Sequence, residues 1–369
     1  MNYLILTICA LFLSACSSSD STSINEEERV GSLPLSVQAP MDNPGNVAKV
    51  NLGRMLFWDP ILSGNRDVAC VTCHHPDNGY AEQLDLSIGV GGQGLSRQRS
   101  FGIQIKRNAP TIINTAFNGI TANGDYDPAN TVMFWDSRSH SLEDQALGPI
   151  RSQEEMRGTD FTEDNIVEEV ASRLQAIPEY EEMFDAAFGD NTINGSTIAQ
   201  AMEAFERSII ANNSRFDQYA RGDNSALTEL EVRGLNAFIE SGCNTCHSGP
   251  MFSDYELHQL PVPANEKLTA LAVVDNGVDG KFRTPTLRNL EFTAPYMHNG
   301  TKSDLNSAIR FYNDIANPSG DPDLAKVNLN EKSENIEAIK AFLLSLSDDS
   351  FDKTIPDSVP SGLNPGGDI

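Results

Sequence analysis

Beyond its first residues the chain has no long apolar run, few cations, few cysteines and no sustained alternation of apolar and polar residues. Each shortage excludes something. Against 52 Asp and Glu stand only 26 Lys and Arg, a formal charge of −26. A polyanion such as nucleic acid is repelled by that surface, whereas a small basic partner is attracted. Six cysteines in 369 residues do not make a disulfide-stapled scaffold, and a chain this long buries its cores without staples, comfortably as two domains. With no strand-like alternation, the expected class is mainly α.

The one apolar run, Met1 to Ala15, is too short to span a bilayer and suits a signal-peptide core. It ends in Leu13-Ser14-Ala15-Cys16, which resembles the bacterial lipobox, whose cysteine becomes the lipidated first residue. No Lys or Arg precedes the apolar core, and an ordinary cleaved signal near a cysteine is the plainer alternative. Cysteine arithmetic favours lipid: Cys9 leaves with the leader, Cys16 carries the anchor, and the other four form two pairs. Ser17 to Ser23 then begins a flexible tether, placed over 16–43. The expected location is the periplasmic side of a bacterial membrane, the outer one by preference, or the soluble periplasm if the anchor is absent.

Those two pairs are Cys70-Val71-Thr72-Cys73-His74 and Cys243-Asn244-Thr245-Cys246-His247. Two thiols about one helical turn apart can each add to a haem vinyl group while the adjacent imidazole falls onto the iron. Disulfides and a four-cysteine zinc site are the alternatives, but a zinc ribbon does not require a histidine directly after both pairs. The preferred reading is two covalently bound haem c groups, one per domain, with His74 and His247 as axial ligands.

Along the chain, Val47, Val50, Met55 and Leu56 are helically spaced and Pro60 ends the run before the first motif. From Pro76 to Asn130 the chain is rich in Gly, Asn and Pro, a loop region of the kind that covers a cofactor. Gly89-Val90-Gly91-Gly92-Gln93-Gly94 formally matches a dinucleotide fingerprint, but no strand precedes it and no amphipathic helix follows. Helices are expected through Ile166 to Leu174, Ile198 to Ile209 and Ile336 to Leu346, and Thr228-x-x-Glu231 forms a capping box opening the helix into the second motif. Arg215 to Asn224 is the expected domain boundary.

Several segments together resemble the bacterial di-haem cytochrome c peroxidase family, including its MauG branch. They are Leu52-Gly53-Arg54-Met55-Leu56-Phe57, both haem motifs, Arg107-Asn108-Ala109-Pro110-Thr111, Phe134-Trp135-Asp136-Ser137-Arg138, Gln145 to Pro149, Glu155-Met156, Arg283 to Asn289 and Thr293 to Tyr296. The resemblance runs from about Asn46 to Ser347. It implies two cytochrome-c-like domains with calcium at their interface: a peroxidatic domain over 44–220, an electron-transfer domain over 221–349, and a tail over 350–369. Where classical members carry a histidine that caps the first iron, Ser87-Ile88-Gly89 is followed here by Val90, which implies an open face; His75 and His140 are the alternatives if that loop is offset. Tyr312, nineteen residues beyond Thr293, falls where MauG-like members place a tyrosine ligand to the second haem and peroxidases a methionine.

The resemblance further implies Glu155 and Gln145 as distal catalytic groups, Trp135 as an inter-haem relay, and Asn108, Thr293 and Pro295 as calcium ligands. The activity implied is reduction of hydrogen peroxide to water, with electrons from a small cytochrome c or cupredoxin. Two competing readings are peroxide-dependent oxidation of a specific protein or small molecule, and a non-catalytic di-haem electron carrier.

Overall fold

The computed structural model describes residues 30–95, 98–189, 192–315, 324 and 333–367. The leader, Cys16 and the first part of the tether lie outside them. Among the described residues the chain is helical, with two short antiparallel ribbons: β1 (Gly92–Gln93) with β2 (Ser100–Phe101), and β3 (Leu257–His258) with β4 (Phe282–Arg283). Gly92 thus opens a hairpin rather than a nucleotide loop. No helix among these residues is long and apolar enough to cross a membrane.

Two helix pairs organise the molecule, and they repeat each other. Helix α1 (Val47–Trp58) starts on Asn46, whose side chain accepts from the Lys49 amide, and stops at Asp59 before Pro60. It crosses α5 (Gly195–Glu206) so closely that a Cβ on Gly53 would lie 2.0 Å from the Ala201 carbonyl oxygen. Four residues on from each, Phe57 and Phe205 meet edge to face at 5.2 Å. In the second half α7 (Glu229–Glu240), opened by the Thr228/Glu231 capping box, crosses α10 (Ser333–Leu344). There a Cβ on Gly234 would lie 1.9 Å from the Ala338 oxygen, and Phe238 and Phe342 stand 5.4 Å apart. In both halves only hydrogen fits at the crossing, and each haem motif follows the first helix of its pair.

Around the first pair pack α2 (Leu142–Arg151), α3 (Ile166–Gln175) and α4 (Pro178–Phe188), burying Ile150, Leu174, Tyr180 and Phe184. The second core takes in α9 (Leu305–Ile315) and α6 (Arg215–Ala220), with α8 (Glu266–Ala270) nearby in sequence. Helix α6 lies in the segment expected to hold the domain boundary. Its Phe216 is buried in the second core, and Asp217 forms a buried two-pronged pair with Arg288 at 2.9 and 3.0 Å.

The N-terminal end departs from the expected flexible tether. From Val30 onward the chain is docked: Leu33 N donates to Asp217 at 2.9 Å and Asn212 reaches the Pro34 carbonyl. The tail returns to the first domain, burying Phe351 and Val359 beside Tyr80 and Trp58. The Gly366 amide donates to the Trp58 carbonyl at 2.7 Å, and Thr72, inside the first haem motif, donates to the Gly366 carbonyl at 2.9 Å. Three well-spaced apolar residues, Phe351, Val359 and Leu363, seat this Pro- and Gly-containing tail on the cores.

Candidate haem sites and the cavity that joins them

Each attachment motif is a short 3₁₀ turn, Cys70–Thr72 and Cys243–Thr245, and the His74 and His247 amides each bond back to the first cysteine carbonyl at 3.0 Å. His74 Nδ1 lies 3.0 Å from the Tyr80 carbonyl, and His247 Nδ1 lies 3.0 Å from the Phe252 carbonyl. A carbonyl only accepts, so Nδ1 carries the proton and Nε2 is the free ligand atom. Burial holds both imidazoles below their usual value, hence neutral. Tyr80 and Phe252 reach these positions with φ of 51° and 54°.

A second repeat completes the parallel. Pro110-Thr111-Ile112-Ile113-Asn114 matches Pro285-Thr286-Leu287-Arg288-Asn289. Thr111 Oγ1 donates to the Gly79 carbonyl at 2.6 Å, and Thr286 Oγ1 to the Met251 carbonyl at 2.7 Å. Asn114 and Asn289 both take left-handed backbone, and their side chains receive the amides of Ala211 and Asp348, just past α5 and α10.

Among the described residues the four cysteines, those of the two motifs, are free thiols, so pairing within the motifs as disulfides fails. Burial pushes Cys243 up to about 12 and Cys70 and Cys73 well above the ordinary thiol range. The zinc alternative fails as well, because among the described residues the one group close enough to hold a metal is Cys246, Asp254 and His258, not the four thiols. A single cavity of about 1560 Å³ is lined by both cysteine pairs and both histidines. That exceeds the roughly 300–1,000 Å³ of a site for one small molecule. Free thiols, neutral histidines with Nε2 available and this volume all fit two haem groups.

The faces opposite the histidines differ. Beside the first motif, a π-turn, Gln153–Arg157, is capped by Ser152 and brings the Glu155 carboxyl to the cavity, with Gln145 of α2 also lining it. Burial raises the Glu155 carboxyl above its usual range, and the Arg138 cation partly offsets this. The electrostatic reach of Glu155 extends to Cys70 and Cys73, which places it at this half-site. The Gly89–Val90 loop packs directly on the turn: the Val90 amide donates to the Glu154 carbonyl at 3.2 Å, and a Cβ on Gly89 would lie 1.8 Å from that oxygen. Val90 itself is buried beside Gly158 and is not among the residues that line the cavity. His75 stands edge-on to Trp58 at 5.8 Å and His140 is exposed; neither lines the cavity.

At the second motif α9 presents Leu305, Ala308, Ile309 and Tyr312, which share one helical face, to the cavity. Burial, then the Cys243 and Cys246 sulfurs, push the Tyr312 phenol up. Between the half-sites lies Trp135, whose Nε1 donates to the Asn108 carbonyl at 2.9 Å and whose own carbonyl accepts from the Arg283 amide at 2.7 Å. Asn108 Nδ2 donates to the Leu84 carbonyl at 2.8 Å, so Oδ1 is the atom available to a cation. Asn108, Thr293 and Pro295 line the same cavity, and Arg107 bridges Asp136 and Asp275 beside them.

A family model described as di-haem cytochrome c peroxidase matches residues 47–225. The chain is 32% identical over 321 residues to the methylamine utilization protein MauG of Methylophilus methylotrophus, covering 85% of this chain and 86% of that protein. The chain belongs to the di-haem cytochrome c peroxidase family. It is also 32% identical over 327 residues to the cytochrome c551 peroxidase of Nitrosomonas europaea, covering 86% and 85%. Among solved structures it is similar to a MauG-like protein associated with microbial copper homeostasis, with a TM-score of 0.67 and 28% identity over 86% of this chain and 95% of that one.

As a member of the di-haem peroxidase family the chain is an oxidoreductase with two cytochrome-c-like domains and two haem groups, a peroxide substrate and an electron donor. The cavity gathers Glu155, Gln145, Trp135, Tyr312, Asn108, Thr293 and Pro295 with all four cysteines and both histidines. Cys16 lies outside the described residues. Sequence reading missed His258, which pairs with Asp254 at 2.9 Å and is raised to about 11 by that bond and by Cys246. It also missed Arg283 and Glu206, both on the cavity wall. The Pro-Thr-x-x-Asn repeat could have revealed the duplicated architecture; no local signal marks Glu206.

Proposed function

We propose that the chain reduces hydrogen peroxide to water at the half-site of His74, Glu155 and Gln145. In this reading electrons enter from an external one-electron protein donor, such as a small cytochrome c or cupredoxin, through the half-site of His247 and Tyr312. One observation carries it: the two proximal histidines are held alike, yet beside one motif the cavity is lined by Tyr312, a protein ligand candidate, and beside the other by the Glu155 carboxyl and the Gln145 amide. When bound, haem iron supplies the electron-transfer chemistry that peroxide reduction needs. Glu155 takes a proton from the incoming peroxide and returns it to the departing oxygen, Gln145 orients the substrate, and Trp135 bridges the two domains as electron relay. Export and a lipid anchor on Cys16 belong to the same reading and rest on the leader sequence.

Electron paramagnetic resonance of the oxidised, haem-loaded protein is expected to show one high-spin and one low-spin ferric signal. Two low-spin signals would falsify the open face, and with inertness to cyanide would establish the electron-carrier reading. Tyr312 and the relatives named MauG favour a second function, peroxide-dependent oxidation of a specific protein or small molecule. Product analysis after adding peroxide to the oxidised protein without donor separates the two: an oxidised organic product supports the second function.

Calcium is proposed at Asn108 Oδ1 and the Thr293 and Pro295 carbonyls, with waters completing an all-oxygen shell. Because Asn108 also holds Trp135, a calcium chelator is expected to lower turnover, with recovery on adding Ca²⁺. Turnover indifferent to chelation removes calcium from the proposal.

A further inference from the structure

Three carboxyls surround one guanidinium behind the first half-site. Glu203 and Glu206 stand one turn apart on α5, with 0% and 4% of their surfaces exposed. Arg207 Nη1 lies 3.0 Å from Glu203 Oε2, and both terminal nitrogens lie 3.3 Å from Glu143 Oε1 on α2. Of the other neighbouring charges, Arg54 of α1 pairs with Asp352 at 2.6 Å and lies over the Phe205 ring, Lys49 of α1 donates to Asn43, which in turn donates to Glu143, and the Cys70 thiol is neutral. One guanidinium shared with Glu143 at the surface cannot balance the two buried carboxylates of Glu203 and Glu206, and leaving an anion unneutralised in the interior is costly. The cluster therefore retains a proton near neutrality. Burial raises Glu206 to about 7, Arg207 opposes the rise and Glu143 adds to it.

Glu206 is also the member that reaches the cavity. It lines the cavity wall, its Oε2 has no hydrogen-bond partner among the described residues, and Cys70 senses its charge as it senses that of Glu155. At the other end of the cluster, the Glu143 side chain is 24% exposed and meets solvent. The carboxyls thus run from the surface to the wall of the first haem cavity.

The reaction requires such a supply. Hydrogen peroxide, two electrons and two protons give two waters. Glu155 can carry a proton already on the peroxide from one oxygen to the other, but the two protons consumed must come from outside, as the two electrons come from the donor. We propose that Glu206, backed by Glu203 and Arg207, is the proton store that resupplies the first haem cavity during peroxide reduction. It acts through cavity water rather than by touching peroxide. The inference rests on the peroxide-reducing function proposed above.

The test compares haem-loaded parent, Glu206→Gln and Glu206→Asp after pre-reduction with two electrons and one addition of peroxide, following proton uptake with an indicator dye. Glu206→Gln is expected to slow uptake roughly 10²-fold and to erase the inflection near pH 7 in the rate. Glu206→Asp restores both in part, and cyanide affinity stays at the parent value, which shows an intact open face. Parent-like uptake and pH profile in Glu206→Gln overturn the role. A parent inert to peroxide overturns the peroxidase reading and this role with it. Should Glu206→Gln fail to load haem, Glu143→Gln at the solvent end carries the same test: slowed uptake supports the route and unchanged uptake refutes it.

Discussion

Glu155→Gln is expected to lower peroxide turnover by roughly 10²–10⁴-fold, about 3–5 kcal/mol of barrier, while haem attachment is unchanged. The substitution keeps the shape of a side chain on a tightly packed turn and removes only its ability to exchange a proton. That turn is held by the Ser152 cap on the Glu155 amide and by the Val90 amide on the Glu154 carbonyl, both bonds to backbone that glutamine leaves in place, and the Ser152 hydroxyl that reaches the Glu155 carboxyl can equally donate to the glutamine oxygen. Burial raises the carboxyl, and the proton-accepting form is the carboxylate. Turnover of the parent therefore rises with pH through a value above the ordinary carboxylate range, and the Gln variant loses that limb. Steady-state peroxide reduction across pH checks both. Undiminished turnover would remove Glu155 from the chemistry.

Tyr312→Met is expected to raise the reduction potential of the second haem, by a substantial share of the ~0.8 V over which axial ligation sets haem potentials. A phenolate oxygen favours ferric iron, whereas a thioether favours ferrous iron. Burial, then the Cys243 and Cys246 sulfurs, hold the phenol protonated, and a cation directly opposite favours the deprotonated form. Tyr312→Phe keeps the packing of α9 in the second core while removing the ligand atom, and is expected to convert the low-spin signal to high-spin. Spectroelectrochemical titration of the parent and both variants decides the matter: equal potentials and unaltered spin states mean that Tyr312 is a packing residue.

If both results hold, the functional asymmetry of a duplicated molecule resides in two short segments, the turn at Gln153–Arg157 and helix α9. The shared parts make the contrast sharp. Gly53 and Gly234 set equivalent helix crossings, and the Tyr80 and Phe252 carbonyls orient equivalent histidines. With the proximal sides matched, differences in reactivity are assigned to what faces each iron from the other side.

The sequence by itself determined what depends on short spacing. Cys-x-x-Cys-His places two thiols and an imidazole on one turn, the Thr228/Glu231 box starts α7, and apolar periodicity marks α1, α3, α5 and α10. These are properties of a few consecutive residues, set by backbone geometry. Tertiary structure decided the rest. It turned His75 and His140 away from the cavity, seated the tail on the first haem motif, drew α6 into the second core and brought Glu143 of α2 onto Arg207 beside Glu203 and Glu206. The reason is physical. Those contacts join residues tens to hundreds of positions apart, and the protonation of a carboxyl follows from burial and neighbouring charge, which no local pattern of residue types encodes.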